Sequence, residues 1–261
     1  SLAKKMYIGF TEKQVALCEA EVGTGKTLSY LVAAIVAKHH NGLTYGQNLP
    51  VTITTSSIEL QKALVEREIP NLSRMLIDYY IIEKPLTAVL RKGKEHYLCQ
   101  YRYEDFLRNI KKYPEKYGPT IEALEQLGQL RYGIDLDKYR ISGATKSRIC
   151  IKGICAGCSK KKTCVYNDFA RRMYNLPDLD FQVTNHNMYL MSQKTKTDDH
   201  PPLLRESCFV VVDEAHKFKE AAEDAFGERI SEKDILRYVN GVKILCSPKA
   251  NREKYKEFLD S

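Results

Sequence analysis

Apolar side chains along this chain recur at two spacings, and the alternation between them sets the expected architecture. After a helix-like opening stretch, residues 14–20 (QVALCEA) have the length and composition of a buried strand. Thr27–His39 then places Leu28, Leu31, Val32, Ile35 and Val36 at helical spacing, and Asn41-Gly42 is a stop signal. Residues 50–55 (PVTITT) are β-branched and predict a second strand. Ser57 can cap a following helix with Leu60, Leu64 and Val65 on its apolar face, closed at Pro70. Strands and helices alternating at this rhythm imply an α/β fold with a parallel, doubly wound sheet.

The rhythm stops after Leu98. Residues 99–164 are rich in Lys, Arg, Tyr and Gly, with weak helical stretches at Tyr103–Lys112 and Thr120–Leu130 and no clear strand. It resumes with a helix at Asn167–Tyr174, a short strand at Asp180–Thr184 and a buried strand at Cys208–Val212. Gln193–Pro202 reads as an exposed loop, and the chain from Lys217 onward as helical and polar. One α/β domain, residues 1–98 and 165–220, is therefore interrupted by a mostly helical insertion at 99–164, and a further helical region begins at 221–261.

Composition refines this picture in three ways. With 43% hydrophobic residues and its longest apolar run at Tyr30–Ala37, the 261-residue chain can fill a core. That run is far short of the ~20 residues that span a bilayer. Ser1–Lys5 lacks an apolar signal-peptide core, so the cytoplasm, most simply of a bacterium, is the expected compartment and no membrane partner is expected. Lys84–Arg172 holds 20 Lys and Arg against 9 Asp and Glu, more excess than the whole-chain net charge of +8. Phosphate backbones are the commonest partner for such a segment; a solvated basic surface is the plainer alternative.

Two motifs carry the chemistry. Residues 20–27 (AEVGTGKT) lie between an expected strand and helix, as a phosphate-binding loop requires. Ala20, Gly23, Thr24 and Gly25 shape the turn, with Ala20 replacing the usual first glycine. Lys26 is expected at the β- and γ-phosphates of ATP, and the Thr27 hydroxyl on Mg²⁺. At the end of an apolar strand, Asp213-Glu214-Ala215-His216 completes the site. Asp213 holds Mg²⁺ in this reading, and Glu214 is the general base for the attacking water.

The DEAH sequence resembles that of superfamily 2 helicases, and the likeness narrows elsewhere. Residues 90–99 (LRKGKEHYLC) are similar to the "KGRxNYxC" entry to the iron–sulfur domain of the XPD/DinG-type helicases. Residues 181–190 (FQVTNHNMYL) resemble that family's "xxxVNHxLL" segment, and residues 54–61 (TTSSIELQ) its motif Ia. The resemblance implies a first RecA-like domain with an iron–sulfur insertion, from a helicase that translocates 5′ to 3′ on single-stranded or forked DNA in repair or replication. It also implies that His216 links the nucleotide site to DNA, and that Thr54, Thr55 and Ser56 lie near the DNA backbone, with Lys92 and Tyr97 as further contacts. Thr54 and Thr55 are equally well read as plain β-branched strand residues.

Eight cysteines are present, and Cys150, Cys155, Cys158 and Cys164 lie close together. Clustered thiols in a reducing compartment suggest metal binding. Cys99, Cys155, Cys158 and Cys164 form one four-thiolate set, with Cys150 as an alternative to Cys155. On spacing, zinc and iron–sulfur both suit four thiolates; the resemblance favours a [4Fe–4S] cluster. Cys18 and Cys208, in expected strands, read as inert core residues, and Cys246 has no assigned role.

Tyr97, Tyr101, Tyr103, Tyr113, Tyr117, Tyr132 and Tyr139 are interleaved with basic residues in the insertion. They suit stacking on single-stranded bases, or the packing of a small domain. Superfamily 2 motors close a second RecA-like domain over the nucleotide, and 45 residues follow His216, too few for one. The expectation is the amino-terminal portion of a longer, monomeric helicase that binds DNA and nucleotide without unwinding by itself.

Overall fold

The computed structural model describes residues 1–21, 23–45, 48–128, 133–152, 155, 158–194, 204–227 and 231–245. Val22 of the phosphate loop, Tyr132, Cys246 and positions 195–202 of the expected loop lie outside the described residues.

Four strands form one parallel sheet in the order β2–β3–β1–β4. They are β1 (Val51–Thr55), β2 (Ala88–Leu90), β3 (Phe181–Asn185) and β4 (Phe209–Val212). Val51 is in register with Phe181 on one side and Phe209 on the other. Strand β1 is central and wholly buried, as its β-branched sequence requires. Helices α1 (Leu2–Thr11), α2 (Lys26–Tyr45), α3 (Ile58–Ala63) and α4 (Ile69–Asp78) precede the insertion. One core unites Tyr30, Leu31, Ala34 and Ile35 of α2 with Val51, Ile53, Phe181 and Val183 of the sheet and with Ile69, Leu72 and Leu76 of α4. Each of the larger aliphatic side chains contributes about 1.5–3 kcal/mol by leaving water.

The insertion carries α5 (Gln100–Ile110), α6 (Pro114–Gly128) and α7 (Gly143–Ile149), followed by α8 (Val165–Tyr174). A second cluster of buried side chains forms here from Leu98, Tyr103, Ile110, Leu124, Leu127, Leu136 and Ile149. The Tyr103 hydroxyl donates to the Leu124 carbonyl at 2.8 Å, joining α5 to α6. Backbone bonds from Leu98 N–H to Ile134 (3.0 Å) and from Cys99 N–H to Ile149 (2.8 Å) stitch the entry segment to the far side of the insertion. Beyond it lie α9 (His186–Lys194), α10 (Phe218–Phe226) and α11 (Glu232–Leu245). No helix among the described residues is long and apolar enough to cross a membrane.

Three sequence expectations are corrected, and one strand carries no sequence signal. Residues 14–20 form no strand: Val15 and Leu17 are each 92% exposed and Cys18 is exposed, not core. An apolar run supplies strand propensity but not a partner, and Gln14 N–H bonds instead to the Gly9 carbonyl near the end of α1. Helix α2 runs through Asn41-Gly42 to Tyr45, because one helical glycine costs about 1 kcal/mol, a cost that tertiary packing can override. Pro70 does not end a helix: a π-helical turn at Leu64–Glu68 leads into α4, and Pro70 sits in its first turn, where proline lacks no needed donor. Finally, the three-residue β2 had no recognisable periodicity and went unforeseen.

Candidate functional site

The phosphate loop approaches α2 through two residues with left-handed backbone. Gly23 has φ 84° and Gly25 φ 77°, conformations that a side chain would strain. Apart from their chain neighbours, no heavy atom of the described residues lies within 4 Å of where a Cβ would sit on either. Thr24 braces it, its hydroxyl donating to the Glu21 carbonyl at 2.7 Å. Helix α2 starts at Lys26. Its free N–H groups and positive end therefore face the space enclosed by the loop. Lys26 and Thr27 are both partly exposed there. Open glycines, free amides, an ammonium and a hydroxyl fit a polyphosphate with its cation.

Strand β4 carries Asp213 to the same place. Its N–H donates to the Thr54 carbonyl at 2.8 Å, extending the β1–β4 ladder by one residue. Its Oδ2 accepts from the Tyr30 hydroxyl at 3.3 Å, one turn into α2. Burial, then neighbouring Glu214, raises the Asp213 pKa, while Tyr30 and Lys26 oppose the rise. Burial also pushes the Tyr30 hydroxyl up, so it remains a protonated donor. Glu214 adopts φ 55°, ψ 46°, a left-handed conformation that costs a non-glycine residue about 1–3 kcal/mol. His216 is exposed and places Nδ1 3.4 Å from Glu214 Oε2.

The residues expected at DNA divide. Thr54 and Thr55 are fully buried; the Thr54 hydroxyl pairs with His186 Nδ1 at 2.9 Å, as befits strand residues. Ser56, immediately beyond β1, is exposed. Lys92 and Tyr97 face inward, contrary to a role as surface contacts. Lys92 is held by Asp135 at 2.7 Å and Asp137 at 3.1 Å, its side chain 4% exposed. Asp137 also accepts from, or pairs with, His96 Nδ1 at 2.8 Å. Tyr97 packs between Tyr166 and Phe169, with ring centroids 5.2 and 5.4 Å away.

Among the described residues no group of three or more His, Cys, Asp or Glu side chains is arranged to hold a metal ion. The five candidate thiols nonetheless differ. Cys150 is buried within the second core, its thiol 3.8 Å from the Ser147 carbonyl. Cys99, Cys155, Cys158 and Cys164 are partly exposed. Cys158 N–H bonds to the Cys155 carbonyl at 3.2 Å, and Cys155 and Cys164 both lie near Tyr166. Cys208 donates to the Leu49 carbonyl at 3.3 Å, consistent with a structural thiol.

No family model matches the chain. Among curated proteins, the 3′-5′ exonuclease DinG of Bacillus subtilis is 29% identical over 224 residues, 84% of this chain and 22% of that protein. The ATP-dependent DNA helicase YoaA of Escherichia coli is 26% identical, covering 88% of this chain and 34% of that protein. Over most of its length this chain is similar to DinG-type helicases. The ATP-dependent helicase DinG of Mycobacterium tuberculosis is a further relative, 24% identical over 90% of the chain and 36% of its own length. The chain thus spans between about a fifth and somewhat over a third of these relatives. Two residues beside the site, Tyr30 and His186, carry no local signal of their contacts: Tyr30 lies in an apolar run and His186 is one letter of a family segment.

Proposed function

We propose that this chain is the nucleotide-binding and strand-gripping part of an ATP-dependent DNA helicase that translocates 5′ to 3′ on single-stranded DNA, acting in bacterial DNA repair or replication. The observation that carries the reading is the meeting of Asp213, tethered by Tyr30, with the open glycine turn that leads into Lys26 and Thr27.

In this reading Lys26 and the free N–H groups of α2 bind and orient the ATP phosphates. Thr27 and Asp213 hold Mg²⁺, whose charge offsets that developing on the transferred phosphoryl oxygens. Glu214 orients the attacking water and accepts its proton, and the carboxylate is presented by its strained backbone. Beside it, His216 steadies the Glu214 carboxylate from the solvent side. Ser56 and the basic insertion take the DNA strand, through exposed Lys and Arg rather than through Lys92.

The partial exposure of Cys99, Cys155, Cys158 and Cys164, with Cys150 packed in the core, supports the first four as ligands of a [4Fe–4S] cluster. Such a cluster would cross-link the entry of the insertion to its exit. The chain by itself is expected to bind nucleotide and DNA without unwinding a duplex, the work of closure falling to the remaining length seen in its relatives.

Titration with a fluorescent dT20 strand at increasing KCl tests the DNA half of this reading. Binding that weakens steeply with salt, as release of counterions from several phosphates requires, is the expected result. No binding at low salt would overturn it.

A further inference from the structure

His186 is the first residue of α9, directly after β3, and is 2% exposed. Its ring meets three segments that are distant in sequence. Nδ1 lies 2.9 Å from the hydroxyl of Thr54, at the end of β1. Burial lowers its pKa, opposed by weak hydrogen-bond contact with the Glu214 and Asp213 backbone and by the charge of the two carboxylates. Phe218, at the start of α10, presents its ring at 5.3 Å and 83°, an edge-to-face contact.

Two energetic costs are concentrated at this junction. Nε2 of His186 is buried without a hydrogen-bond partner among the described residues. Leaving such an atom unpaired is unfavourable, a cost that an apolar residue of similar size would avoid. Glu214, against the same ring, holds a left-handed backbone that is itself unfavourable. Buried polar atoms are usually satisfied; Thr55 Oγ1, beside Thr54 at the same end of β1, is unpaired too among the described residues. Here one nitrogen is fixed on β1, and the other lies beside the Asp213–Glu214 backbone without a well-formed hydrogen bond, so it can gain a full partner when that backbone moves. Thr54 meanwhile holds both sides, with its hydroxyl on His186 and its carbonyl on the Asp213 N–H.

We infer that His186 is a positioning residue that couples the end of β1, where Ser56 emerges to meet the DNA strand, to the Asp213–Glu214 turn of the nucleotide site. This rests on the proposed function, since it presumes that the two ligands bind where that reading puts them. Strand binding at Ser56 shifts the end of β1; the Thr54 hydroxyl carries the shift to the imidazole; and Nε2 biases the conformation of the Glu214 backbone. Coupling through a discrete element of this kind amounts to about 5- to 150-fold in affinity.

The test measures the affinity of the 261-residue chain for MgATPγS with and without saturating dT20. The wild-type chain should bind the nucleotide about 5- to 10-fold more tightly with dT20 present, at the lower end of that range. His186→Ala and His186→Leu should reduce the factor to about 1 while changing each separate affinity by less than about twofold. His186→Gln, whose amide can reach the Nε2 position, should restore part of the coupling; His186→Asn, which reaches only the Nδ1 position, should not. A ring that served packing alone would lower the melting temperature in the Ala variant and leave the coupling factor at its wild-type value, and that result overturns the inference. If His186→Ala does not fold, Thr54→Val removes the other end of the link and should lose coupling in the same way; retained coupling there is equally fatal. Wild-type chain that binds both ligands with no coupling overturns this inference alone, whereas failure to bind either ligand refutes the proposed function as well.

Discussion

The Tyr30 hydroxyl donates to Asp213 Oδ2 at 3.3 Å, across 183 residues of chain. This bond joins the helix that follows the phosphate loop to the strand that delivers the acidic pair, so one side chain fixes the relation between the two motifs. Tyr30→Phe keeps the buried ring and removes only the bond. Hydrogen bonds to charged groups contribute about 1.5–3 kcal/mol, and a long one falls at the lower end. The variant should keep its circular dichroism spectrum and bind MgATPγS on the order of tenfold more weakly. Unchanged affinity would mean that Asp213 is positioned without Tyr30.

Asp213 is a carboxyl held at a cost to the fold. Its raised pKa means that the ionised carboxylate is disfavoured by burial and by Glu214. For a carboxyl with a raised pKa that cost is absent below the unfolded value and complete above the folded one, so the fold carries it at neutral pH. Asp213→Asn should therefore melt no lower than the parent, and higher by about 2–4 °C for each kcal/mol relieved. Mg²⁺-dependent nucleotide binding should be lost in the same variant. A clear fall in melting temperature would show that the carboxylate is stabilising.

Much of this site was legible in the sequence, because glycines, a lysine and an acidic pair have few substitutes at a phosphate. The positive φ angles of Gly23 and Gly25 are what their residue type anticipated. The links between motifs were not legible. Nothing local to Tyr30 names Asp213 as its partner, and nothing local to Thr54 names His186, since each contact is made by the sheet order and not by spacing. The same limit explains residues 14–20, where local composition suggested a strand and no sheet edge received it. Burial of Lys92 was equally hidden: its carboxylate partners lie more than forty residues away.

Lys92 now has a prediction opposite in kind to that of a DNA contact. Removing one member of a buried ion pair costs about 3–5 kcal/mol. Lys92→Met should therefore lower the melting temperature by roughly 10 °C, through loss of the anchor between the β2 exit and Asp135 and Asp137. Normal melting with a shallower salt dependence of DNA binding would return Lys92 to the DNA surface.

The cysteines can be separated by chemical analysis. Cys155→Ser and Cys164→Ser should each lose iron and acid-labile sulfide, whereas Cys150→Ser should retain both and lose a little stability from its core position. Iron loss in Cys150→Ser with retention in Cys155→Ser would exchange their roles. Zinc in place of iron in the parent chain would remove the iron–sulfur assignment.

The central claim is that Gly23–Thr27 and Asp213–Glu214 form one Mg²⁺–nucleotide site, and equilibrium titration of the 261-residue chain with a fluorescent ATP analogue tests it most directly. Saturable binding that requires Mg²⁺ and falls at least about tenfold in Lys26→Ala, a loss of some 1.4 kcal/mol, is the predicted result. Binding that ignores both Mg²⁺ and the Lys26 substitution, or no binding at all, would contradict it.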